Sequence, residues 1–350
     1  MQKLGWIEDS PISDTHPAQA FGFFLLHPEV ILNTLLRSRD YWFLSYIYIS
    51  CVWFTLIWDS FALHLWIRSL SSKATEGENE GENVKLVSEH VPTHLKPQTD
   101  EEFGHYLAGL IDGDGYFGVK SLEISFYKLD ASLAYYIKGR LGYGRVRKVK
   151  DKNAVIFCIT NREGLEKVMN LVNGKLRVSF KLDNFEKYIL SYYKEPLNLK
   201  HKLHLNTSSD LENHWLAGFL DADGSFQIKT LSRVNPNGSS RVEIRLYVQI
   251  DQKTRLLLDL IKDSFGGNIG HRKSQDTFYY NSTSFGSARK FIKYLDRYHM
   301  LSSKHVNYLK WRKAYLLVQT KKHLTEEGLM QIKKFKSSMN SYSDETLDLD

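Results

Sequence analysis

Cysteine is almost absent from this chain: Cys51 and Cys158 are the only two in 350 residues. Two thiols exclude a disulfide framework and a cysteine-rich zinc site, and both read as reduced and structural. Long apolar runs are also scarce. The single candidate is Tyr41–Trp58 (YWFLSYIYISCVWFTLIW), eighteen uncharged residues of marginal length for a membrane span or, alternatively, a buried segment of a leader. The leader does not have the arginine-rich, acid-poor character of an import presequence, since Glu8, Asp9 and Asp14 come early. Acidic residues are in deficit only beyond the first hundred positions. Residues 1–98 hold 7 Lys/Arg against 11 Asp/Glu, leaving 40 against 29 for residues 99–350. Four of those later acids (Asp344, Glu345, Asp348, Asp350) fall in the last ten residues, so residues 99–340 carry a net +15. A body this basic points to a polyanionic partner, nucleic acid above all.

What is present is a phrase used twice. His105–Phe117 reads HYLAGLIDGDGYF and His214–Phe226 reads HWLAGFLDADGSF, offset by 109 residues and identical at eight of thirteen positions. A repeat of this length predicts two related halves about a pseudo-twofold axis. Each copy is an apolar helical turn ending in two acids and a glycine, with Leu107–Asp112 read as helix stopped by Gly113 and Gly115. Gly109 and Gly113 lie four apart on one face, as do Gly218 and Ala222, and small residues at that spacing let two helix backbones approach closely. Packed through those faces, the helices bring their C-terminal ends together, with Asp114 and Asp223 just beyond. Two negative helix ends and two carboxylates repel, so the cluster calls for a cation, and oxygen ligands suit a hard ion such as magnesium. An EF-hand is excluded, because the loop position that must be glycine is Phe117 in one copy and Phe226 in the other.

Around the motifs the chain divides into an apolar leader and acidic linker (1–98, with 71–100 read as disordered), two halves (99–205 and 206–340) and an acidic tail (341–350). After each motif the pattern predicts a strand pair, a helix, a second strand pair and further helix. In the second half Val242, Ile244, Leu246, Val248 and Ile250 alternate with Arg241, Glu243, Arg245, Tyr247 and Gln249, the signature of a half-buried antiparallel strand. The expected first-half elements are Leu122–Tyr127, 131–140, Gly144–Lys150, Ala154–Thr160 and 163–172; second-half helices are expected at Lys253–Ser264 and Ser287–Tyr298. The first hairpin is much longer in the second half, eighteen residues from Gly224 to Val242 against seven from Gly115 to Leu122.

The duplicated phrase resembles the LAGLIDADG homing endonucleases, in the single-chain type with both motifs in one polypeptide. GYGRVRKVKDKNAVIFCITN (Gly142–Asn161), LVNGKLR (Leu171–Arg177) and HLTEEGLMQIKKFKSSMN (His323–Asn340) resemble the versions encoded by organellar group I introns. The resemblance covers roughly residues 99–340. It implies an α/β (α+β) fold of two αββαββα halves, a saddle of antiparallel sheets with the motif helices at the interface. It also implies metal ligation by Asp114 and Asp223 with the carbonyls of Gly113 and Ala222, structural roles for Asp112 and Asp221, and a basic residue near each scissile phosphate. Lys181 and Lys304 match best, with Lys175 and Arg177 competing for the first. The implied cofactor is magnesium, with manganese as substitute, and each acid serves one strand of a cut across the minor groove that leaves short 3′ overhangs. The sheets then lie in the major groove, and strand parity puts Lys120, Arg145, Arg147, Gln227, Lys229, Arg233, Arg245, Tyr247, Gln249 and Arg272 on that surface, with Phe226 and Ile228 inward.

The expected function is site-specific double-strand DNA cleavage by a monomer. The alternatives are an RNA maturase assisting its host intron, with or without cleavage, and a non-catalytic DNA-binding regulator. An intein is not expected, since the chain begins at Met1 without a splicing Cys or Ser and ends in LDLD. The leader reads as exon- or intron-derived sequence, trimmed within 71–98 and in contact with a membrane before processing. Organellar residence, mitochondrial first and chloroplast second, follows from the resemblance.

Overall fold

The computed structural model describes residues 86–234 and 240–340. The leader with Tyr41–Trp58 and Cys51, the linker up to residue 85, the tip of the long hairpin and the acidic tail lie outside the described residues. A division between Val84 and Lys85 separates the chain into two units, and every described residue belongs to the second. Among the described residues no helix is long and apolar enough to cross a membrane.

The first half runs α1 (Asp100–Asp114), β1 (Gly115–Gly118), β2 (Ser121–Tyr127), α2 (Ala131–Leu141), β3 (Arg145–Lys148), β4 (Ala154–Ile159), α3 (Arg162–Val172) and α4 (Ser179–Tyr188). The second repeats the order with α5 (Trp215–Asp223), β5 (Gly224–Val234), β6 (Ser240–Gln252), α6 (Leu256–Phe265), β7 (Asn268–Arg272), β8 (Thr277–Asn281), α7 (Phe285–Leu295) and α8 (Lys304–Gln319), then adds α9 (Glu326–Ser338). Each half builds one four-stranded antiparallel sheet, in the orders β1-β2-β4-β3 and β5-β6-β8-β7. The mixed α/β architecture is the expected one.

The register follows from period-two burial. In β5 and β6, Phe226 pairs with Val248 and Ile228 with Leu246, and all four are buried against the helices. Gln227 pairs with Tyr247 and Lys229 with Arg245 on the opposite face. A one-residue slip would exchange the two sets, so burial fixes the pairing. Phe117, Leu122, Ile124 and Phe157 do the same work in the first sheet.

The first motif helix is longer than its motif suggested. Thr99 caps it by accepting from the Glu102 amide at 3.1 Å, while the Glu102 carboxylate accepts from the Thr99 amide at 3.2 Å. This reciprocal capping box, with Asp100, Glu101 and Glu102 in the positive first turn, starts the helix seven residues before Leu107. At the other end it continues through Gly113, so Asp114, like Asp223 in α5, is the last helical residue rather than a residue beyond the helix.

Residues 86–98, expected to be linker, form an extended strap held on the body. Gln319 of α8 both donates to the Val87 carbonyl (2.9 Å) and accepts from its amide (3.0 Å). The buried Arg312 guanidinium donates to the carbonyls of Ser88 (2.9 Å) and His90 (3.0 Å). Farther along, Arg140 of α2 donates to the carbonyls of Pro97 and Thr99. The strap thus passes from the second half to the first. Its main-chain groups are satisfied by side chains distant in sequence, which leaves no periodic pattern to read.

Candidate active site

The two motif helices meet backbone to backbone. A Cβ on Gly109 would overlap the Trp215 carbonyl oxygen and lie 2.8 Å from the Phe219 nitrogen. On Gly218 it would overlap the Tyr106 carbonyl oxygen and lie 3.0 Å from the Leu110 nitrogen. Gly113 faces the Ala222 methyl group, and a Cβ there would fall 2.9 Å from Asp223 Oδ2. All four residues picked out by small-residue spacing therefore stand at this interface, which brings both acidic ends to one place.

Neither helix carries a basic residue in its last turn. Burial raises the Asp114 carboxyl above the usual carboxylate range against the opposing pull of Lys304 and Lys181, although the side chain still opens to solvent. Asp223 is pushed up to about 6, by burial first and then by the charge of Asp114, and a hydrogen bond from Gln252 opposes the shift. That bond runs from Gln252 Nε2 to Asp223 Oδ2 at 2.7 Å. Two carboxylates whose ionisation is opposed by burial, and for Asp223 also by the charge of Asp114, make a site that favours a cation. The donors are all oxygen, so a hard divalent ion fits them.

The sixth-position acids do different work, and each reaches across the twofold. Asp112 accepts from Trp215 Nε1 of the other motif helix (2.8 Å) and from the amides of Arg177 (2.8 Å) and Val178 (3.2 Å). Asp221 accepts from the Tyr106 hydroxyl (2.7 Å), again on the other motif helix, and from Leu301 N (2.7 Å), Ser302 N (3.2 Å) and Ser302 Oγ (2.5 Å). Both carboxyls are buried, and desolvation lifts Asp112 to about 7 in spite of its three donors. Each acid therefore ties the opposite motif helix to the chain segment that leads into the next helix of its own half.

Those helices deliver the two lysines. Lys181, on α4, donates to the carbonyls of Gly115 (2.6 Å) and Gly113 (3.2 Å). Lys304, at the start of α8, donates to the carbonyls of Ala222 (2.5 Å) and Leu220 (3.4 Å). Burial lowers the pKa of both ammonium groups, while Asp112 opposes this most for Lys181 and Asp221 most for Lys304. The competing candidates lie elsewhere: Lys175 pairs with Glu101 at 3.0 Å, and the Arg177 guanidinium is spent on the carbonyls of Ser208 and Asp210. The carbonyls of Gly113 and Ala222, expected as metal ligands, accept from the lysines together with those of Gly115 and Leu220.

Apart from Lys120, the residues expected to meet DNA lie on strands, and most are held by neighbouring side chains, several of them acidic. Glu243 holds Arg233 (2.5 Å) and Arg245 (2.7 Å), Arg245 also reaches the Tyr247 hydroxyl, and Lys229 lies 4.7 Å from the Tyr247 ring centre. Gln227 donates to Gln249, Gln249 donates to Asp251, and Asp251 also pairs with Arg272. In the first half Arg145 and Arg147 are exposed on β3, with Arg147 3.5 Å from Glu123. Lys120 sits in the turn after β1 at φ 56°, its ammonium 5.3 Å from the Tyr192 ring.

Sequence reasoning missed Gln252, because only the β6 register brings it to Asp223. It also missed Tyr106 and Trp215 as donors across the interface. A signal existed for these two: they occupy the same position in the two copies of the phrase, and both carry a donor on an aromatic ring.

The LAGLIDADG endonuclease family profile matches residues 216–315. An uncharacterized cox1 intron-2 protein of 37.2 kDa from Schizosaccharomyces pombe is 58% identical over 254 residues, covering 72% of this chain and 77% of that protein. The intron-encoded DNA endonuclease aI3 of Saccharomyces cerevisiae is 28% identical, with 67% of this chain and 68% of that protein covered. The intron-encoded RNA maturase bI4 of the same yeast is 32% identical over 51% of this chain, which spans only 26% of that protein. Among solved structures, meganuclease I-SmaMI bound to uncleaveable DNA superposes with a TM-score of 0.53 at 22% identity, over 68% of this chain and 99% of that one. I-SmaMI bound to its uncleaved DNA target in the presence of calcium ions gives 0.53 at 23% identity, over 71% and 100%. These structural likenesses establish the fold.

Proposed function

The chain belongs to the LAGLIDADG endonuclease family, and from that membership we propose that it is a site-specific, divalent-metal-dependent endonuclease that cuts both strands of a long asymmetric DNA site. The observation that carries this reading is the pair of aspartates, Asp114 and Asp223, at adjoining helix ends, each half supplying its own lysine. Asp114 and Asp223 would hold the metal, and a bound magnesium ion would supply charge neutralisation and acidify water near neutral pH. Lys181 and Lys304 stand where they can stabilise charge developing on the scissile phosphates, one for each strand. Asp112 and Asp221 position the lysine-bearing helices. The donor-rich sheet faces, longest on β5 and β6, read base edges in the major groove, with Glu243, Asp251 and Glu123 orienting the arginines. The fungal relatives, named as intron-encoded, favour a mitochondrial origin, and none of them supports a chloroplast one.

The test is cleavage of a randomised-site plasmid library by the full chain with magnesium, followed by sequencing of the ends. One long motif with short 3′ overhangs is expected, lost in Asp114→Asn and in Asp223→Asn while DNA binding persists. Cleavage that survives the double substitution refutes the assignment. A second reading has one specific support, the likeness to a yeast RNA maturase: the chain also assists splicing of its host intron RNA. Accelerated splicing that persists in the Asn variants would show that this role does not need the acidic site.

A further inference from the structure

Away from the acidic site, three histidines from separate parts of the chain converge. His94 lies on the strap, His299 in the connection after α7, and His305 in the first turn of α8. Their ring centres stand 5.2 Å (His94–His299), 4.5 Å (His94–His305) and 5.6 Å (His299–His305) apart. One candidate ligand atom from each lies within 4.8 Å of the others. Two imidazoles on one tetrahedral zinc, with Zn–N bonds of ~2.0 Å, have ring centres about 5 Å apart. The backbone therefore already holds the rings at coordination distance, and modest ring rotation closes the ligand atoms on a common centre.

The hydrogen bonds fix which atoms are free to ligate. The His299 Nδ1 accepts from the Leu95 amide at 3.1 Å, so the proton of the neutral ring is on Nε2, which donates to the Asp296 carbonyl at 3.0 Å. The His94 Nε2 faces the Met300 carbonyl at 2.8 Å and must donate to it, leaving a lone pair on Nδ1. Both rings are thus anchored through Nε2 to main-chain carbonyls, the outer-shell arrangement typical of metal-bound histidines; His94 presents a free Nδ1, and His299 presents its Nδ1 once the Leu95 amide is released. The third ring, His305, has a buried Nδ1 with no hydrogen-bond partner. His94 is exposed, which gives an ion a way in and leaves a coordination position for water.

We propose that His94, His299 and His305 form a second metal site, for a divalent first-row transition ion such as zinc, which pins the strap to the second half of the body. An all-imidazole donor set selects borderline ions over magnesium, so this site and the carboxylate site take different metals. The cost is the Leu95 amide bond to His299 Nδ1; Leu95 is exposed, so water can replace that acceptor. The ion links the strap to the loop that supplies the Leu301 and Ser302 amides to Asp221, and it thereby braces the entry to the helix bearing Lys304.

The experiment uses the full chain stripped of metal, titrated with zinc against a chromophoric chelator, with His94→Gln, His305→Gln and Asp114→Asn/Asp223→Asn alongside. One equivalent of zinc is expected to bind, at least tenfold more weakly in either histidine variant and unchanged in the acid variant. Because His94 is exposed, His94→Gln leaves the fold intact and remains informative even if His305→Gln does not fold. Zinc should also raise the melting midpoint of the unaltered chain and not that of His94→Gln. The proposal is overturned by absence of zinc binding, by equal affinity in His94→Gln, or by loss of binding in the acid variant. None of these readouts depends on DNA cleavage.

Discussion

Substituting one hydrogen by a methyl group at Gly218 should damage both stability and cutting, and the same change at Gly139 should improve stability. Both glycines are helical, so alanine gains about 1 kcal/mol of helix propensity at either position. Around Gly139 nothing lies within 4 Å of the added Cβ, and that gain, roughly 0.5–1 kcal/mol, is what unfolding should report. At Gly218 the new Cβ overlaps the Tyr106 carbonyl oxygen and sits 2.9 Å from its carbon. The obstacle is main chain, so no rotamer change relieves it, and the helices must separate by roughly 1 Å. A clash with main chain belongs at the upper end of the overpacking range, about 3 kcal/mol, which outweighs the propensity gain of about 1 kcal/mol and leaves a net loss of about 2 kcal/mol. A 1 Å displacement in the catalytic geometry is worth about 100-fold in rate.

Urea denaturation of Gly218→Ala, Gly139→Ala and the unaltered chain, with plasmid linearisation under magnesium, separates these terms. The expected order of stability is Gly139→Ala, unaltered, Gly218→Ala, and only the last should cut slowly. A Gly218→Ala protein as stable as the unaltered chain would refute backbone contact between the motif helices. One that is destabilised but cuts at full rate would refute the claim that helix separation sets the spacing of Asp114 and Asp223.

Asp221→Ala should destabilise the fold by about 3 kcal/mol or more, because the Tyr106 hydroxyl and the Leu301 and Ser302 amides lose their acceptor in a buried setting; an unchanged urea midpoint would show that these donors find other partners. Asp112 at about 7 and Asp223 at about 6 lie above the ordinary carboxylate value, so between them the folded state binds more protons than the unfolded one. Their stabilising contribution is full below about pH 4 and is lost as pH rises through 6 to 7. Chelator-treated protein should therefore melt lower at pH 7.5 than at pH 5, magnesium should reduce the difference, and a flat or rising profile would contradict the shifts. Gln252→Leu removes a donor to the Asp223 carboxylate and should move the rising limb of the cleavage pH profile to higher pH; an unmoved limb means that the bond does not bear on ionisation.

The parts of the fold that repeat locally were legible in sequence. Val242 to Ile250 announced β6 by alternation, and the pairs Gly109–Gly113 and Gly218–Ala222 announced the helix contact by spacing, because each signal lies within one element. The capping box Thr99–Glu102 is equally local, and it extends α1 seven residues ahead of Leu107. The strap was not legible, since Ser88 and His90 are held by Arg312 more than two hundred residues away. Lys181 could not be separated from Lys175 or Arg177 by spacing. Only the fold shows that Arg177 contributes its amide to Asp112 while its guanidinium turns to Ser208 and Asp210.

The repeat also concealed a difference between the halves. Gly115 pairs with Ile124 and Gly224 with Ile250, so the twofold matches Gln252, two residues past Ile250, with Phe126. Phe126 is buried and has nothing to donate, whereas Gln252 donates to Asp223. The two carboxylates are therefore not equivalent. Asp223 carries a hydrogen bond that steadies its charged form, and Asp114 is offset only by the lysines. Near-identity of the two phrases argues for two equal sites, but a site is completed by strands that the phrase does not include. Duplication supplied the twofold scaffold, the paired acids and the crossed Tyr106–Asp221 and Trp215–Asp112 bonds. Divergence of the hairpins made the two acids electrostatically different, so under the proposed function the two strands are expected to be cut at unequal rates.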